Sequence, residues 1–460
     1  MLLPFRNLRG TTLNMLDQSF SIENFRKILD YENRKGVYLE GVFFPTVKEV
    51  SESIKKLNFN LKHSRRQVSP EDLSEYRKTL NEDLESAEDL KEELLLEEFT
   101  KIRNNLLSGK FKFSLIKNDH FGEKPIYTSV KSPENFFALK QIQHNFRKLY
   151  KVKQANRFAI LSQLKSLLGD GFPKLIIRTD ISEFYETIPH DILLQKLNEE
   201  NLLTFSSKKI IHQILSDYRR LSNSNVGLPR GIGISAYLAE LYMRDIDQAI
   251  KSLVNVSYYA RYVDDIVIIF TPNSGNNNIN FYDEIRTIIE DKHQLLLNPD
   301  KTKVIDLTVL NTNQNIEYLG YKINFGSGPI GFKLSSKKIT RYRRRITSSI
   351  ADYIHFSKIN EKSARKLLIK RIRFLAGNTR LLNNKSNILV GVYYSNNLLT
   401  TVNDFGAIDA FFLNELRNLT NPILITRLSK FSFKDGFTKK NFSKFSTGDL
   451  TEIFKIWRRI

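Results

Sequence analysis

The sequence predicts an α+β fold in which apolar strands lie between helical segments. The runs 174–179 and 258–270 are rich in β-branched and aromatic residues, as buried strands are. Between about 70 and 106, apolar residues recur at intervals of three or four, which predicts a long amphipathic helix with an acidic outer face. Its apolar stripe would consist of Leu73, Tyr76, Leu80, Leu84, Ala87, Leu90 and Leu94. From 335 onward the pattern is helical and basic.

The chain is strongly basic, and the charge is unevenly distributed. Its 71 Lys and Arg outnumber 50 Asp and Glu, which gives a net charge of +21. Residues 331–460 hold 26 basic against 8 acidic side chains, whereas residues 71–100 hold 3 basic against 12 acidic ones. A basic region mixed with Tyr and Phe is typical of nucleic-acid binding. A solvated basic face without a specific partner is the alternative.

Composition excludes several classes of site. The chain has no cysteine, so disulfides, thiolate zinc sites and cysteine nucleophiles are excluded. No apolar run approaches the roughly 20 residues that span a bilayer. The start of the sequence, Met1 to Arg6, does not resemble a signal peptide. We therefore expect a cytoplasmic protein with no membrane partner.

Two adjacent aspartates, Asp264 and Asp265, divide the apolar run 258–270. This pattern predicts a tight hairpin with both carboxylates at its turn. Because Asp is common in turns, a plain turn is the alternative. A third acid, Asp180, ends the predicted strand 174–179. Carboxylates that converge from separate strands are the ligands that hard divalent cations require.

A Gly/Pro-rich loop, 227–235, precedes a predicted helix at 236–250. Glycines let the backbone approach a ligand closely, and the amides at a helix start suit phosphate. A further hairpin is predicted to pair 317–323 with 332–334 around the glycines near 327.

Five motifs occur in the order of the conserved blocks of a reverse transcriptase palm, which residues 140–340 resemble. They are RTDISEFY (178–185), GLPRGIGIS (227–235), YVDD (262–265), LNPDKT (297–302) and EYLGY (317–321). The resemblance implies a right-hand polymerase with an antiparallel palm sheet. Its predicted parts are a helical N-terminal extension (1–120), fingers (121–175), a palm (176–325) with a fingers insertion at about 200–230, and a basic helical thumb or RNA-binding region (326–460).

The same resemblance implies an RNA-directed DNA polymerase that uses two Mg²⁺ ions, with Mn²⁺ as an alternative. The metal ligands would be Asp180, Asp264, Asp265 and the carbonyl of Ile181. Lys301 would neutralise or protonate the leaving pyrophosphate as a general acid. A surface lysine without a catalytic role is the alternative for Lys301.

Other positions correspond to nucleotide and primer contacts. Tyr185 matches the aromatic residue that stacks under the sugar and excludes a 2′-hydroxyl, with a core tyrosine as the alternative. Residues 145–157 are basic and aromatic, and they supply three candidates for the triphosphate: Lys151, Lys153 and Arg157. The hairpin that grips the primer would consist of Tyr318, Leu319 and Gly320.

One position departs from the family pattern. Arg230, followed by Gly231, stands where many reverse transcriptases have Gln. A guanidinium there could hold a phosphate with two parallel hydrogen bonds, so both residues are predicted nucleotide contacts. The departure leaves ordinary template copying open.

The runs 180–188 and 233–242 resemble the bacterial defence-associated reverse transcriptases, called the unknown or abortive-infection groups. More narrowly, the chain resembles the first enzyme of type 3 two-enzyme antiphage systems. This resemblance implies a bacterial cytoplasmic enzyme with a non-coding RNA template, a DNA product, dNTPs and a second reverse transcriptase subunit or a homo-oligomer. A retron-like or intron-derived enzyme and an inactive RNA-binding scaffold are the alternatives, and the three aspartates count against the scaffold.

Overall fold

The structure is a computed structural model that describes residues 16–119, 124–152, 155–271, 280–308, 314–326, 329–381 and 388–457. The helices are α1 (Ile22–Arg34), α2 (Glu40–Phe43), α3 (Pro45–His63), α4 (Leu73–Leu107), α5 (Pro133–Leu149), α6 (Arg157–Leu168), α7 (Phe184–Thr187), α8 (His190–Glu199), α9 (Phe205–Ser222), α10 (Gly233–Lys251), α11 (Phe281–Arg286), α12 (Ser336–Ala376), α13 (Asn403–Glu415), α14 (Pro422–Leu428), α15 (Phe433–Thr438) and α16 (Thr447–Lys455). The strands are β1 (Leu115–Asn118), β2 (Ile126–Ser129), β3 (Leu175–Asp180), β4 (Val256–Tyr262), β5 (Asp265–Phe270), β6 (Lys303–Asp306), β7 (Gln314–Tyr318), β8 (Tyr321–Phe325), β9 (Gly331–Leu334), β10 (Asn378–Leu381) and β11 (Ile388–Gly391).

The chain divides into two compact units. The first consists of residues 1–153 and 183–244, and the second of residues 154–182 and 245–460. The predicted division into extension, fingers, palm and thumb stays a prediction. Among the described residues, no helix is long and apolar enough to cross a membrane.

The first unit has an aromatic core between α1, α4 and α5. The rings of Phe25 and Phe137 lie 5.3 Å apart, and Phe99 of α4 packs against both. The predicted long helix is confirmed as α4. Six residues of its predicted apolar stripe are buried or half-buried, namely Leu73, Tyr76, Leu80, Leu84, Ala87 and Leu94. The seventh, Leu90, is 46% exposed, and most of the fully buried side chains lie C-terminal to it in the helix. Those buried in α4 are Leu80, Leu95, Phe99 and Ile102.

The second unit is built on an antiparallel sheet with the strand order β4-β5-β3-β6. The predicted strand 174–179 is β3, in the centre of the sheet. The predicted hairpin 258–270 consists of β4, at one edge, and β5, which lies beside β3. Residues 266–270 are fully buried, because β5 lies between two strands and is apolar on both faces. Helix α6 and the C-terminal helices pack with this sheet in one continuous hydrophobic core.

A second sheet, β7-β8-β9, corrects the hairpin predicted for 317–334. Residues 317–323 form two strands rather than one, because Leu319 and Gly320 make a two-residue turn with φ of 44° and 75°. Two left-handed residues match the twist of adjoining antiparallel strands. The basic tail starts with α12, which bends at Asn360, and it also contains the hairpin β10-β11, which the sequence did not predict.

Candidate active site

The sheet register brings the predicted carboxylates together. Asp180, the last residue of β3, is the direct cross-strand partner of Asp265, the first residue of β5. Such partners project from the same face with Cβ atoms about 5 Å apart. Asp264 lies in the β4–β5 turn, where its carbonyl accepts a hydrogen bond from the Ile181 amide at 3.2 Å. All three aspartates and Ile181 therefore lie at one corner of the sheet.

The turn that presents Asp264 is strained and is held by a buried cation. Val263 has φ of 63°, which is an outlier for a β-branched residue. Arg261 donates from Nη1 to the Val263 carbonyl at 2.8 Å and from Nε to Asp247 at 2.8 Å. The Tyr259 hydroxyl donates to the same carboxylate at 2.6 Å. Helix α10, through Asp247, thus fixes the conformation of the turn.

Asp180 and Asp265, the two aspartates that lie on strands, are each paired with a cation. Lys301 lies with its Nζ 2.5 Å from Oδ2 of Asp180, and Arg178 forms an ion pair with Asp265. Burial raises the pKa of Asp265, and the charges of Asp180 and Asp264 raise it further, whereas Arg178 opposes the rise. The corner therefore concentrates negative charge that two side-chain cations only partly compensate.

This donor set fits a hard divalent cation. Carboxylate oxygens are the ligands that Mg²⁺ and Mn²⁺ prefer. Across the residues that the structure describes, no three His, Cys, Asp or Glu side chains are gathered in metal-binding geometry. At this corner Asp180 is paired with Lys301, and Asp265 is paired with Arg178. The role of Ile181 as a carbonyl ligand stays a prediction.

Tyr185 lies in the first unit, where the Gly/Pro-rich loop fixes its backbone. The Leu228 amide donates to the Tyr185 carbonyl at 2.5 Å, and the Gly227 amide donates to the Ile188 carbonyl at 2.8 Å. A Cβ at Gly227 would lie 2.9 Å from the Glu186 carbonyl, so this close approach requires glycine. The segment 185–188 and the loop are therefore joined by backbone hydrogen bonds.

Arg230 contacts a carboxylate of that segment. Its Nη2 donates to Oε2 of Glu186 at 2.9 Å, and its Nε faces the other oxygen. Lys124 lies 3.6 Å from Glu186 and 2.9 Å from Glu183. These four side chains line a cavity of about 180 Å³. The guanidinium therefore holds a protein carboxylate in this structure, and its predicted contact with a phosphate stays a prediction.

The adjacent Gly231 makes a close backbone approach. It has φ of 97°, and a Cβ there would lie 2.6 Å from the Tyr127 carbonyl. The Tyr127 amide donates to the Arg230 carbonyl at 2.7 Å. The loop is thus packed on strand β2, which accounts for the glycine without a nucleotide.

Two cations, Arg157 and Lys338, lie against the predicted primer grip. Arg157 donates from Nε to the Leu319 carbonyl at 3.0 Å. Lys338 donates to the Asn396 side chain at 2.6 Å, and its Cε would lie 2.8 Å from a Cβ at Gly320. Both cations also lie over the Tyr321 ring. Arg157 therefore contacts the turn in this structure, and its predicted role with the triphosphate stays a prediction.

The remaining candidates are less informative. Tyr318 is buried, and its hydroxyl donates to the Asp265 carbonyl at 3.4 Å, which links the second sheet to the corner that holds the aspartates. Lys151 is exposed, with φ of 51°. Lys153 lies outside the described residues.

Residues 132–323 match the family described as reverse transcriptase (RNA-dependent DNA polymerase). This segment is similar to reverse transcriptase domains. Every candidate site residue lies within it. The match and the mixed helix and sheet architecture confirm the predicted α+β right-hand polymerase fold and the predicted enzyme class, an RNA-directed DNA polymerase.

The chain has distant structural similarity to telomerases. No curated protein matches the chain. Among solved structures, it is similar to apo telomerase from Candida tropicalis truncated from its C-terminal domain, with 15% identity, coverage of 48% of this chain and 54% of that chain, and a TM-score of 0.34. It is also similar to telomerase from Candida albicans in complex with a TWJ fragment of telomeric RNA, with 15% identity, coverage of 69% and 61%, and a TM-score of 0.35. The chain thus spans less than two thirds of either telomerase chain.

Several residues that contact candidate site residues were not identified from the sequence. Arg178 could have been found, because residues two apart on a strand share a face and Arg178 precedes Asp180 by two. Glu186, Asp247 and Lys338 contact partners more than 40 residues away or on another element, so no local signal marks them.

Proposed function

We propose that this chain is a bacterial cytoplasmic reverse transcriptase that copies a bound non-coding RNA into DNA and acts in antiphage defence. The observation that supports the catalytic part most directly is the pairing of Asp180 with Asp265 beside Asp264. The defence role is supported by the resemblance of runs 180–188 and 233–242 to defence-associated enzymes. A second reverse transcriptase subunit or a second copy of the chain would complete the assembly.

Asp180, Asp264 and Asp265 would hold two divalent cations, with the Ile181 carbonyl as an additional ligand. When bound, such ions lower the pKa of a primer 3′-hydroxyl and neutralise a leaving pyrophosphate. The protein's own part is to hold the three acids in place through the β3–β5 register and the Arg261-braced turn. Lys301, adjacent to Asp180, would carry a proton to the pyrophosphate.

Tyr185 would set the sugar preference by occupying the space that a 2′-hydroxyl needs. The Leu228 amide of the loop donates to its carbonyl and so holds the backbone from which the ring projects. Substrates would be dNTPs. The basic residues of 331–460 would track the phosphates of the template and product.

The polymerase proposal is tested by dNTP incorporation on an RNA template with an annealed primer and Mg²⁺. Asp264→Asn keeps the shape of the side chain and should lower the rate by about 10³-fold, because losing a metal ligand removes several kcal/mol of transition-state stabilisation. Asp291→Asn, an exposed acid elsewhere in the second unit, is the matched control and should retain activity. Equal rates for wild type and Asp264→Asn would refute the proposal.

The defence proposal requires a separate experiment. Cells that carry the native locus with wild-type chain or Asp264→Asn are challenged with phage, and plating efficiency is measured. Protection by the wild type alone is expected. Equal protection by both would refute a catalytic role in defence.

A further inference from the structure

The first unit contains a second, larger cavity that none of the predicted site residues lines. It measures about 430 Å³ and opens between α1 and α5, with Tyr237 of α10 contributing to its wall. This volume lies in the range of pockets that hold a single small ligand. The remaining lining side chains are polar or charged, apart from Ile28.

The cavity is positively charged. Five of its lining side chains are cationic and two are acidic, a net charge of +3. The five cations are Lys27, Arg34, Lys35, Lys140 and Arg147. Both acids are already engaged. Buried Glu32 lies 3.3 Å from the Lys35 Nζ and 3.0 Å from the Lys140 Nζ, and Asp30 lies 3.8 Å from Arg26.

Two of the cations are uncommitted in the part of the chain that the structure describes. Lys27 donates only to the Asn24 side chain, at 3.3 Å, and Arg34 has no ion pair there. Burial and the neighbouring charges of Arg147, Lys148 and Lys27 lower the pKa of His144, so its ring is mostly neutral at pH 7. A site with this excess of charge favours an anion.

An aromatic ring stands among these cations. Tyr31 is 47% exposed, and the Lys35 Nζ lies 3.9 Å from the centre of its ring. A hydrogen bond with Arg147, supported by Lys35, lowers the pKa of the Tyr31 hydroxyl. An accessible ring beside several cations is the combination that binds a base together with its phosphate.

We propose that this cavity binds one nucleotide of a single-stranded RNA segment, with the phosphate among Lys27, Arg34 and Lys35 and the base against Tyr31. The RNA as source of the nucleotide rests on the proposed function, whereas the recognition of a phosphate and a base rests on the cavity alone. The cavity would hold a strand of the structured RNA through residues that take no part in nucleotide addition.

The test uses the full-length protein and a fluorescein-labelled, 12-nucleotide single-stranded RNA of mixed sequence. Binding is measured by anisotropy across a series of NaCl concentrations. In the double variant Lys27→Gln/Arg34→Gln, the dissociation constant should rise about 10-fold, and the salt slope should fall by about 1.4 if two phosphate contacts are lost. Tyr31→Ala should weaken binding about 5- to 100-fold, whereas Tyr31→Phe should not, because it keeps the ring.

A matched control removes the same charge elsewhere in the first unit. Lys56 and Lys62 are exposed on α3. The variant Lys56→Gln/Lys62→Gln should change the dissociation constant less than about 2-fold, because only side chains that contact the RNA contribute to its binding. Equal loss in the control and cavity variants would overturn the proposal, since general charge would then explain both.

Photocrosslinking adds a site-specific measurement. RNA that carries 5-iodouridine should crosslink to Tyr31, and the crosslinked peptide should disappear in Tyr31→Ala. Crosslinks confined to residues 331–460 would overturn the proposal.

Competition with AMP distinguishes an RNA strand from a free nucleotide as the ligand. Displacement of the RNA from Tyr31 by AMP at the same concentration as the RNA would overturn RNA as the ligand.

These outcomes are separable from failure of the polymerase proposal. Asp264→Asn should bind the RNA and crosslink as the wild type does. If the wild type incorporates no dNTP but Tyr31 still crosslinks, the polymerase proposal fails and the binding site stands.

Discussion

Arg230 and Glu186 form an ion pair that links the Gly/Pro-rich loop to the segment that carries Tyr185. The sequence marks Arg230 as a departure from the family pattern, and the structure supplies its partner. The Arg230 side chain is 39% exposed and the Glu186 side chain 26%. At this exposure, the ion pair contributes up to about 1 kcal/mol to the free energy of unfolding. Its larger effect should be on the position of the Tyr185 backbone.

We predict that reversing the pair preserves function when reversing one member does not. Arg230→Glu should raise the KM for dNTPs about 10-fold, because it places like charges together and loosens the loop. The double variant Arg230→Glu/Glu186→Arg should recover most of the loss. Steady-state kinetics of the four proteins measure the coupling. If Arg230 instead binds a nucleotide phosphate, the double variant will remain as impaired as Arg230→Glu.

A second prediction concerns the turn at Gly320. Gly320 and Gly171 both have φ of 75°, but a Cβ at Gly171 would meet nothing within 4 Å, whereas one at Gly320 would meet Lys338 and Arg157. Gly171→Ala should therefore cost only the left-handed backbone strain, about 1 kcal/mol. Gly320→Ala should cost about 1–2 kcal/mol more, because it also disrupts hydrogen bonds that the two cations make.

Urea unfolding measures both costs, and primer extension measures the functional effect. Gly320→Ala should release the primer more readily and shorten the products of a single binding event. Identical unfolding free energies and product lengths for the two variants would show that the cations do not anchor the turn.

The third prediction is a pH dependence of stability. Burial, assisted by the charges of Arg157 and Arg341, lowers the pKa of Lys338 from 10.5 to about 7. The unfolded chain therefore binds more protons than the folded chain between these values, so stability should rise with pH from about 7 toward 10.5. Below pH 7 both states are protonated, and this contribution to the slope vanishes.

Unfolding free energies are measured at about pH 6.5, 7.5, 8.5 and 9.5, which covers most of the interval between the folded and unfolded pKa values of Lys338. The difference between the wild-type and variant curves isolates the contribution of this lysine. Lys338→Met should lose the part of the rise that belongs to this lysine. Lys337→Met, at the exposed neighbouring position, should keep it. Parallel curves for wild type and Lys338→Met would contradict the prediction.

The fourth prediction concerns the brace of the aspartate turn. Arg261→Met removes the donor to the Val263 carbonyl and leaves Asp247 without its ion pair, so it should cost about 3 kcal/mol and most of the activity. If the brace acts by holding Val263 in its left-handed conformation, adding Val263→Gly should restore part of the incorporation rate. The absence of any rescue would assign Arg261 to stability alone.

The sequence was sufficient to predict the central strands of the β4-β5-β3-β6 sheet and the acids at their ends, because both depend on local signals. Strand β5 is apolar on both faces, and acids at strand ends are conspicuous beside such a run. The position of the β4–β5 turn followed from the two adjacent aspartates that divide the apolar run 258–270. The three aspartates could therefore be named as candidates before any tertiary contact was known.

The features that were missed depend on tertiary packing. In α4, Leu90 belongs to the predicted apolar stripe but is 46% exposed, because the neighbouring elements decide which turns of the helix are covered. The ion pairs of Arg230 and Arg261 join residues that only the fold brings together. The turn at Leu319 interrupts a run that reads as one strand, since Leu gives no sign of a left-handed conformation.

The direct opposition of Asp180 and Asp265 has a consequence for the insertions and deletions that this domain can tolerate. Adding one residue within β3 or β5 would turn one aspartate to the opposite face of the sheet. Adding two would restore the face but displace the carboxylate by about 6.5 Å along the strand. Length changes should therefore accumulate in the connections between strands, whereas the spacing from strand centre to acid should be invariant among functional descendants of this chain.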